Sequence, residues 1–66
     1  MLSLSDIWRR AVDLRTRFEG EAAIIATENG ERCLDSGDMD GYCDWNRIHR
    51  ALMELERLSG AGDSRH

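Results

Sequence analysis

The apolar residues of this sequence recur every three or four positions over most of its length, and no proline interrupts them. This spacing places them on one face of an α-helix, whereas a half-buried strand would alternate at every second position. Ser3, three residues before Asp6, is typical of a helix N-terminus, because its hydroxyl can accept a hydrogen bond from a backbone amide of the first turn. The pattern predicts a first helix over about 4–18, with one face formed by Leu4, Ile7, Trp8, Ala11, Val12, Leu14 and Phe18.

A second helix is predicted over about 21–36. Gly20 suits the left-handed conformation that ends the preceding helix. The packing face of the second helix is made of small or modest residues, Ala22, Ala26, Asn29, Gly30 and Cys33, so a neighbouring helix can approach it closely. The Asn29-Gly30 pair could instead mark a turn. One glycine costs only about 1 kcal/mol inside a helix, so we favour a continuous second helix.

Gly37 followed by Asp38 is the clearest helix boundary in the chain, because a glycine C-cap and an aspartate N-cap stand side by side. The pair predicts a tight helical hairpin into a third helix over about 39–58. The predicted fold is therefore all-α, with three amphipathic helices in a small bundle. The predicted core is Trp8, Val12, Ala26, Trp45, Ile48, Leu52 and Leu55. We expect residues 1–58 to form one domain and residues 59–66 to form a disordered tail.

The third helix carries an apolar arc that is too wide for a single neighbouring helix. Tyr42, His49 and Met53 form a second stripe beside its core positions, and Ile24 of the second helix points away from the small-residue face. A domain of this size buries only about 60% of the surface of its unfolded chain, which leaves a lone monomer marginally stable. We therefore expect a homodimer or another protein partner, with Ile24, Tyr42, His49 and Met53 as the partner-binding residues.

No set of residues predicts catalysis, since a nucleophile, a base and an orienting group would have to converge in a cleft. His49 is interpreted as a core or interface histidine. The segment from Ser36 to Gly41 resembles the start of a calcium loop, but Arg47 occupies the position that requires a bidentate glutamate. Four possible soft-metal ligands, Cys33, Cys43, His49 and His66, lack the spacing of a zinc site. We predict a non-enzymatic protein with no catalytic, metal-binding or cofactor-binding residue.

The two cysteines fit a reducing compartment. Reduced, buried thiols are favoured over a redox-controlled disulfide between Cys33 and Cys43 across the hairpin. The segment from Met1 to Asp6 lacks the basic start and apolar run of a signal peptide, and no apolar stretch is long enough for a membrane helix. We therefore expect a cytoplasmic protein with no membrane association.

Acidic and basic residues are unevenly distributed. Residues 19–44 hold eight acidic side chains and one arginine, Arg32, in a chain of net charge -4. This excess of negative charge would repel phosphates, so Arg47, Arg50 and Arg57 are not interpreted as a nucleic-acid-binding site. We predict a non-enzymatic protein-interaction module; the alternative is an acidic inhibitor or DNA mimic that acts on a nucleic-acid-binding protein.

The segment from Gly37 to Leu55 follows the pattern GD-x-x-G-x-x-x-W-x-x-I-x-x-A-x-x-x-L. Upstream of it stand Asp6, Ile7, Trp8, Ala11, Ala22, Ala26 and Leu34. With these residues the chain resembles, over roughly residues 6–57, a family of short uncharacterised alphaproteobacterial proteins. The resemblance implies three helices and carries over no activity, ligand or catalytic residue.

Overall fold

The computed structural model describes residues 2–61 of the chain, and the side chains of residues 2–58. Helix α1 spans Leu4–Phe18, a 3-10 turn follows at Glu19–Glu21, α2 spans Ala22–Asp35, and α3 spans Met39–Ala61. No strand occurs in the described part of the chain. The prediction of an all-helical chain is confirmed.

The 3-10 turn joins α1 directly to α2 with no loop residue between them, which differs from the prediction of three separate helices. Counted as unbroken stretches, the described chain has two, residues 4–35 and residues 39–61, and the 3-10 turn divides the first. The positive φ predicted for Gly20 occurs instead at Glu19, which has a φ of 41° and a ψ of -113°. The amide of Glu19 donates to the carbonyl of Arg15, so Glu19 rather than the glycine closes α1.

Helix α3 packs against both other helices, and these two contact each other much less. Helix α1 runs in the same direction as α3: the backbone amide of Leu2 donates to Oδ1 of Asp44 at 3.2 Å, and Nε of Arg15 lies 3.4 Å from Oε2 of Glu56. Helix α2 runs antiparallel to α3 through the hairpin. The core therefore lies where α3 faces its two neighbours.

The predicted caps at Ser3, Gly37 and Asp38 are present, whereas the one at Gly20 is not. Oγ of Ser3 accepts a hydrogen bond from the amide of Asp6 at 3.2 Å, and Oδ1 of Asp38 accepts one from the amide of Gly41 at 2.9 Å. Gly37 has a φ of 82°, a conformation in which any side chain is strained. These local interactions end α2 and begin α3 within three residues, so the two helices form the predicted hairpin.

Helix α2 is continuous through Asn29 and Gly30, as predicted. It spans Ala22–Asp35 rather than 21–36, because residue 21 belongs to the 3-10 turn. Helix α3 continues beyond its predicted end at residue 58 to Ala61. The rest of the predicted tail, residues 62–66, lies outside the described residues. None of the described helices is both long enough and apolar enough to cross a bilayer.

The buried residues are mostly those of the predicted packing faces: Ile7, Ala11, Ala22, Ala26, Ile48, Ala51 and Leu52. Three of the predicted core residues, Trp8, Trp45 and Leu55, are only partly buried and pack against this cluster. Val12 was wrongly predicted in the core and is 49% exposed. The buried line of α1 runs through Ile7 and Ala11, and the next residue is rotated by about 100° around the helix.

Replacing Leu52 tests how much this core contributes to the stability of the fold. Leu52 is 2% exposed, so we expect Leu52→Ala to lower the free energy of unfolding by about 2–5 kcal/mol. The matched control, Leu58→Ala, removes the same atoms from an exposed position of α3 and should change it by less than about 0.5 kcal/mol. Urea denaturation followed by circular dichroism measures both.

Equal losses for the two leucines would contradict this core assignment. If Leu52→Ala fails to fold, Ile48→Val offers a milder test, with an expected loss of about 0.5–1.5 kcal/mol.

Candidate partner-binding surface

The four residues predicted to bind a partner lie on the α2–α3 hairpin. Ile24 is on α2, and the other three are on α3. Ile24 and Met53 are exposed over more than half of their surface, at 58% and 52%, whereas Tyr42 and His49 are partly buried. Large apolar side chains do therefore reach solvent at two of the four predicted positions.

Ile24 and His49 are brought together by the fold. They line one shallow groove of about 210 Å³ between α2 and α3, together with Ala23, Thr27 and Glu28. Met53 follows His49 by one turn of α3 but does not line this groove. The structure thus joins two of the predicted residues and leaves Met53 at the edge of the same side of α3.

Tyr42 has a second role inside the hairpin. A Cβ built at Gly30 would lie 3.8 Å from Cδ1 of Tyr42 and 3.3 Å from Cβ of Trp45. Part of the Tyr42 ring therefore packs against α2 at the buried Gly30. Its partial burial belongs to the hairpin's own packing, and only the remaining surface is available to a partner.

Two further apolar residues extend this surface and were missed from the sequence. Leu34 and Met39, which flank the hairpin turn, are 44% and 53% exposed. The sequence did contain a pattern that could have identified them: a spacing of alternately three and four residues on both helices, as in a coiled-coil seam. The spacing connects positions 24, 27, 31 and 34 of α2 and positions 39, 42, 46, 49 and 53 of α3.

We call the apolar members of this seam, with His49, the hairpin face. It consists of Ile24, Leu34, Met39, Tyr42, His49 and Met53. Because Ile24 and His49 line the same groove, the helical period places the other members on the same side of the hairpin. The hairpin face runs from the turn to the first turn of α2, and on α2 the polar residues Thr27 and Glu31 lie between its apolar members.

The remaining His, Cys, Asp and Glu side chains of the described residues form no metal site. No three His, Cys, Asp or Glu side chains of that part converge as ligands. His66 lies outside it. Asp38, from the calcium-like segment, uses Oδ1 to cap α3. A polar groove near the α1–α2 turn contains the ion pair between Arg15 and Glu56.

Both cysteines are free thiols in differing environments. The prediction of two buried thiols is wrong for Cys43, which lies on the outer side of α3 and is exposed, and Cys33 is half-buried. A Cβ built at Gly41 would be 2.9 Å from Sγ of Cys33, so the sulfur lies against the first turn of α3. Burial raises the pKa of the Cys33 thiol, and the charge and hydrogen bond of Asp38 raise it further.

Comparison with protein-family models, curated proteins and solved structures found no match for this chain. The resemblance to short alphaproteobacterial proteins therefore stays a prediction.

The raised pKa of Cys33 predicts selective thiol chemistry. At about pH 8 we expect Cys33 to react with iodoacetamide more slowly than Cys43, because a raised pKa leaves less of the reactive thiolate. Asp38→Asn should accelerate the reaction at Cys33, since it removes a nearby negative charge and retains a side chain that can cap α3. Peptide mapping by mass spectrometry gives both rates.

Asp40→Asn is the matched control, because it removes the same charge from the first turn of α3 at a carboxylate that does not contribute to the raised pKa of Cys33. Equal rates at the two cysteines, or an identical effect of both asparagine variants, would contradict the assignment.

Proposed function

We propose that this chain is a non-enzymatic helical protein-interaction module that binds through the hairpin face. The observation that carries the proposal is the clustering of exposed apolar residues on one side of the hairpin. Ile24, Leu34, Met39 and Met53 are each 44–58% exposed in a chain of 66 residues. Large apolar side chains that are exposed on the same side of two adjacent helices are typical of a protein contact.

We further propose that the partner is a second copy of the chain. Two hairpin faces related by a two-fold axis would bury the same residues in both copies, and such dimers are the commonest oligomers. The contact would place four helices around a shared apolar seam. It would also add buried area to a domain whose own core contains four alanines among its seven buried hydrophobic residues.

We also propose three further properties that are inferred from the sequence. They are a bundle of three amphipathic helices, a cytoplasmic location, and membership of the short alphaproteobacterial family. Two free thiols support the reducing compartment. The interaction role requires none of the three.

An acidic inhibitor or DNA mimic is the second candidate, and one observation favours it. Within the described residues, none of the eight carboxylates between Glu19 and Asp44 belongs to an ion pair. Unpaired carboxylates on α2 and the hairpin leave a negative surface that a basic protein would attract.

The self-association proposal is tested by placing a charge on the hairpin face. We expect Met53→Glu to convert the dimer into a monomer in sedimentation velocity, because a carboxylate would be buried without a partner. It should also remove the dependence of the melting temperature on protein concentration. Leu58→Glu, at an equally exposed position of α3 outside the hairpin face, should leave the dimer intact.

A wild-type chain that remains monomeric at high micromolar concentration would overturn the homodimer. Dissociation by both glutamate variants would show that the contact lies elsewhere on α3.

Affinity capture with matched variants separates the two candidate functions. For the interaction module, the captured proteins should be lost with Met53→Glu and retained when Glu19→Gln and Glu21→Gln, at exposed positions of the 3-10 turn outside the hairpin face, are combined. Nucleases or polymerases captured by the wild type and lost with the double glutamine variant would support the mimic instead, because that variant removes only negative charge.

A further inference from the structure

A second groove lies between α1 and α3, and it shares no residue with the hairpin face. Its volume is about 420 Å³, and it is lined by Leu4, Ile7, Trp8, Arg47, Arg50, Ala51 and Glu54. The apolar part combines the first two turns of α1 with Ala51 of α3. Leu4 is 71% exposed and Trp8 is partly buried, so the groove presents apolar surface to solvent.

The polar rim of this groove has an excess of positive charge. Arg47 and Arg50 are exposed, and neither forms an ion pair in the described part of the chain. Glu54, the remaining charged lining residue, pairs with Arg57, which counters its charge. Two guanidinium groups are therefore available beside an apolar floor.

The distribution of charge along the whole chain also favours a positive groove. Residues 19–44 have eight acidic side chains and one arginine, which gives -7, while the remaining residues have eight arginines and five acidic side chains, which gives +3. The groove is built only from the net positive part of the chain. A ligand that carries carboxylates is attracted to this groove and repelled by the hairpin.

We propose that the α1–α3 groove binds an acidic amphipathic helix of another protein, whose aliphatic stripe contacts Leu4, Trp8 and Ala51 and whose carboxylates pair with Arg47 and Arg50. The α3 lining from Arg47 to Glu54 extends over about two helical turns, or about 12 Å. A helix presents residues i, i+3, i+4 and i+7 over that length, which is the usual anchor spacing in a helical groove. Arginine pairs with a carboxylate through two parallel hydrogen bonds, and tryptophan and arginine are frequent energetic anchors of interfaces.

The probe for this site is a fluorescein-labelled synthetic peptide of about 16 residues, long enough to form a helix. It contains leucines at the i, i+3, i+4 and i+7 spacing, flanked by glutamates. A matched peptide replaces every glutamate with lysine and keeps the leucines. We expect the glutamate peptide to bind at least about tenfold more tightly in fluorescence anisotropy, and its affinity to fall as salt rises.

Two double variants of the full chain locate the contact. Arg47→Gln with Arg50→Gln should weaken binding of the glutamate peptide by about tenfold or more. Arg9→Gln with Arg10→Gln removes the same charge from exposed positions of α1 outside the groove and should change it by less than about twofold. Leu4→Gln, at an exposed position, should weaken binding through the loss of apolar contact.

Equal affinity for the two peptides, or equal weakening by both arginine pairs, would overturn the proposal, since binding would then depend on apolar surface or net charge alone. Dissociation of a dimer of the chain by the Arg47 and Arg50 variant would also overturn it, because the groove would be a contact between copies. The Met53→Glu variant should bind the peptide like the wild type, so failure of the hairpin-face proposal remains distinguishable from failure here.

Discussion

The close approach of α2 to α3 is the constraint on which the rest of the structure depends. Gly30 is buried, and a Cβ at its position would lie only 3.3 Å from Cβ of Trp45. Ala22 and Ala26 continue the same line toward the start of α2. Because small residues occupy this line, the helices can pack closely, but they bury little apolar area. The larger buried side chains must therefore come from α3 and α1.

This division of the core explains why two apolar surfaces remain open. Helix α3 supplies Ile48 and Leu52 to the space between its neighbours, and α1 contributes Ile7 from one side. Two short helices cover only part of the circumference of α3. One uncovered flank of α3 becomes part of the hairpin face. Ile24 stays exposed there, because its position on α2 faces away from the buried line of Ala22 and Ala26. The other flank becomes the groove beside Trp8.

The parts of the fold that depend on local chemistry could be predicted from the sequence. Gly37 and Asp38 end and begin helices through their own backbone conformation and side-chain hydrogen bond, so no knowledge of distant residues was needed. Val12 could not be placed in the same way. Its exposure depends on how α1 crosses α3, which decides whether Ala11 or its neighbour is buried. The partner-binding surface was difficult to predict for the same reason. The sequence indicated which residues follow the helical stripes. How much of the Tyr42 side chain packs against Gly30, and how much stays exposed, depends on how α2 and α3 pack together.

The distribution of charge gives the two surfaces different ligand preferences. The groove beside the hairpin face is bordered by Glu28, whereas the α1–α3 groove has Arg47 and Arg50 at its rim. At physiological ionic strength, charges act over about 8 Å, a distance comparable to the spacing between packed helices. An acidic helix is therefore repelled where it would compete with the hairpin contact and attracted on the opposite flank of α3. In the proposed arrangement, α3 can then take part in two contacts that do not compete, because charge selects the flank that each occupant can reach.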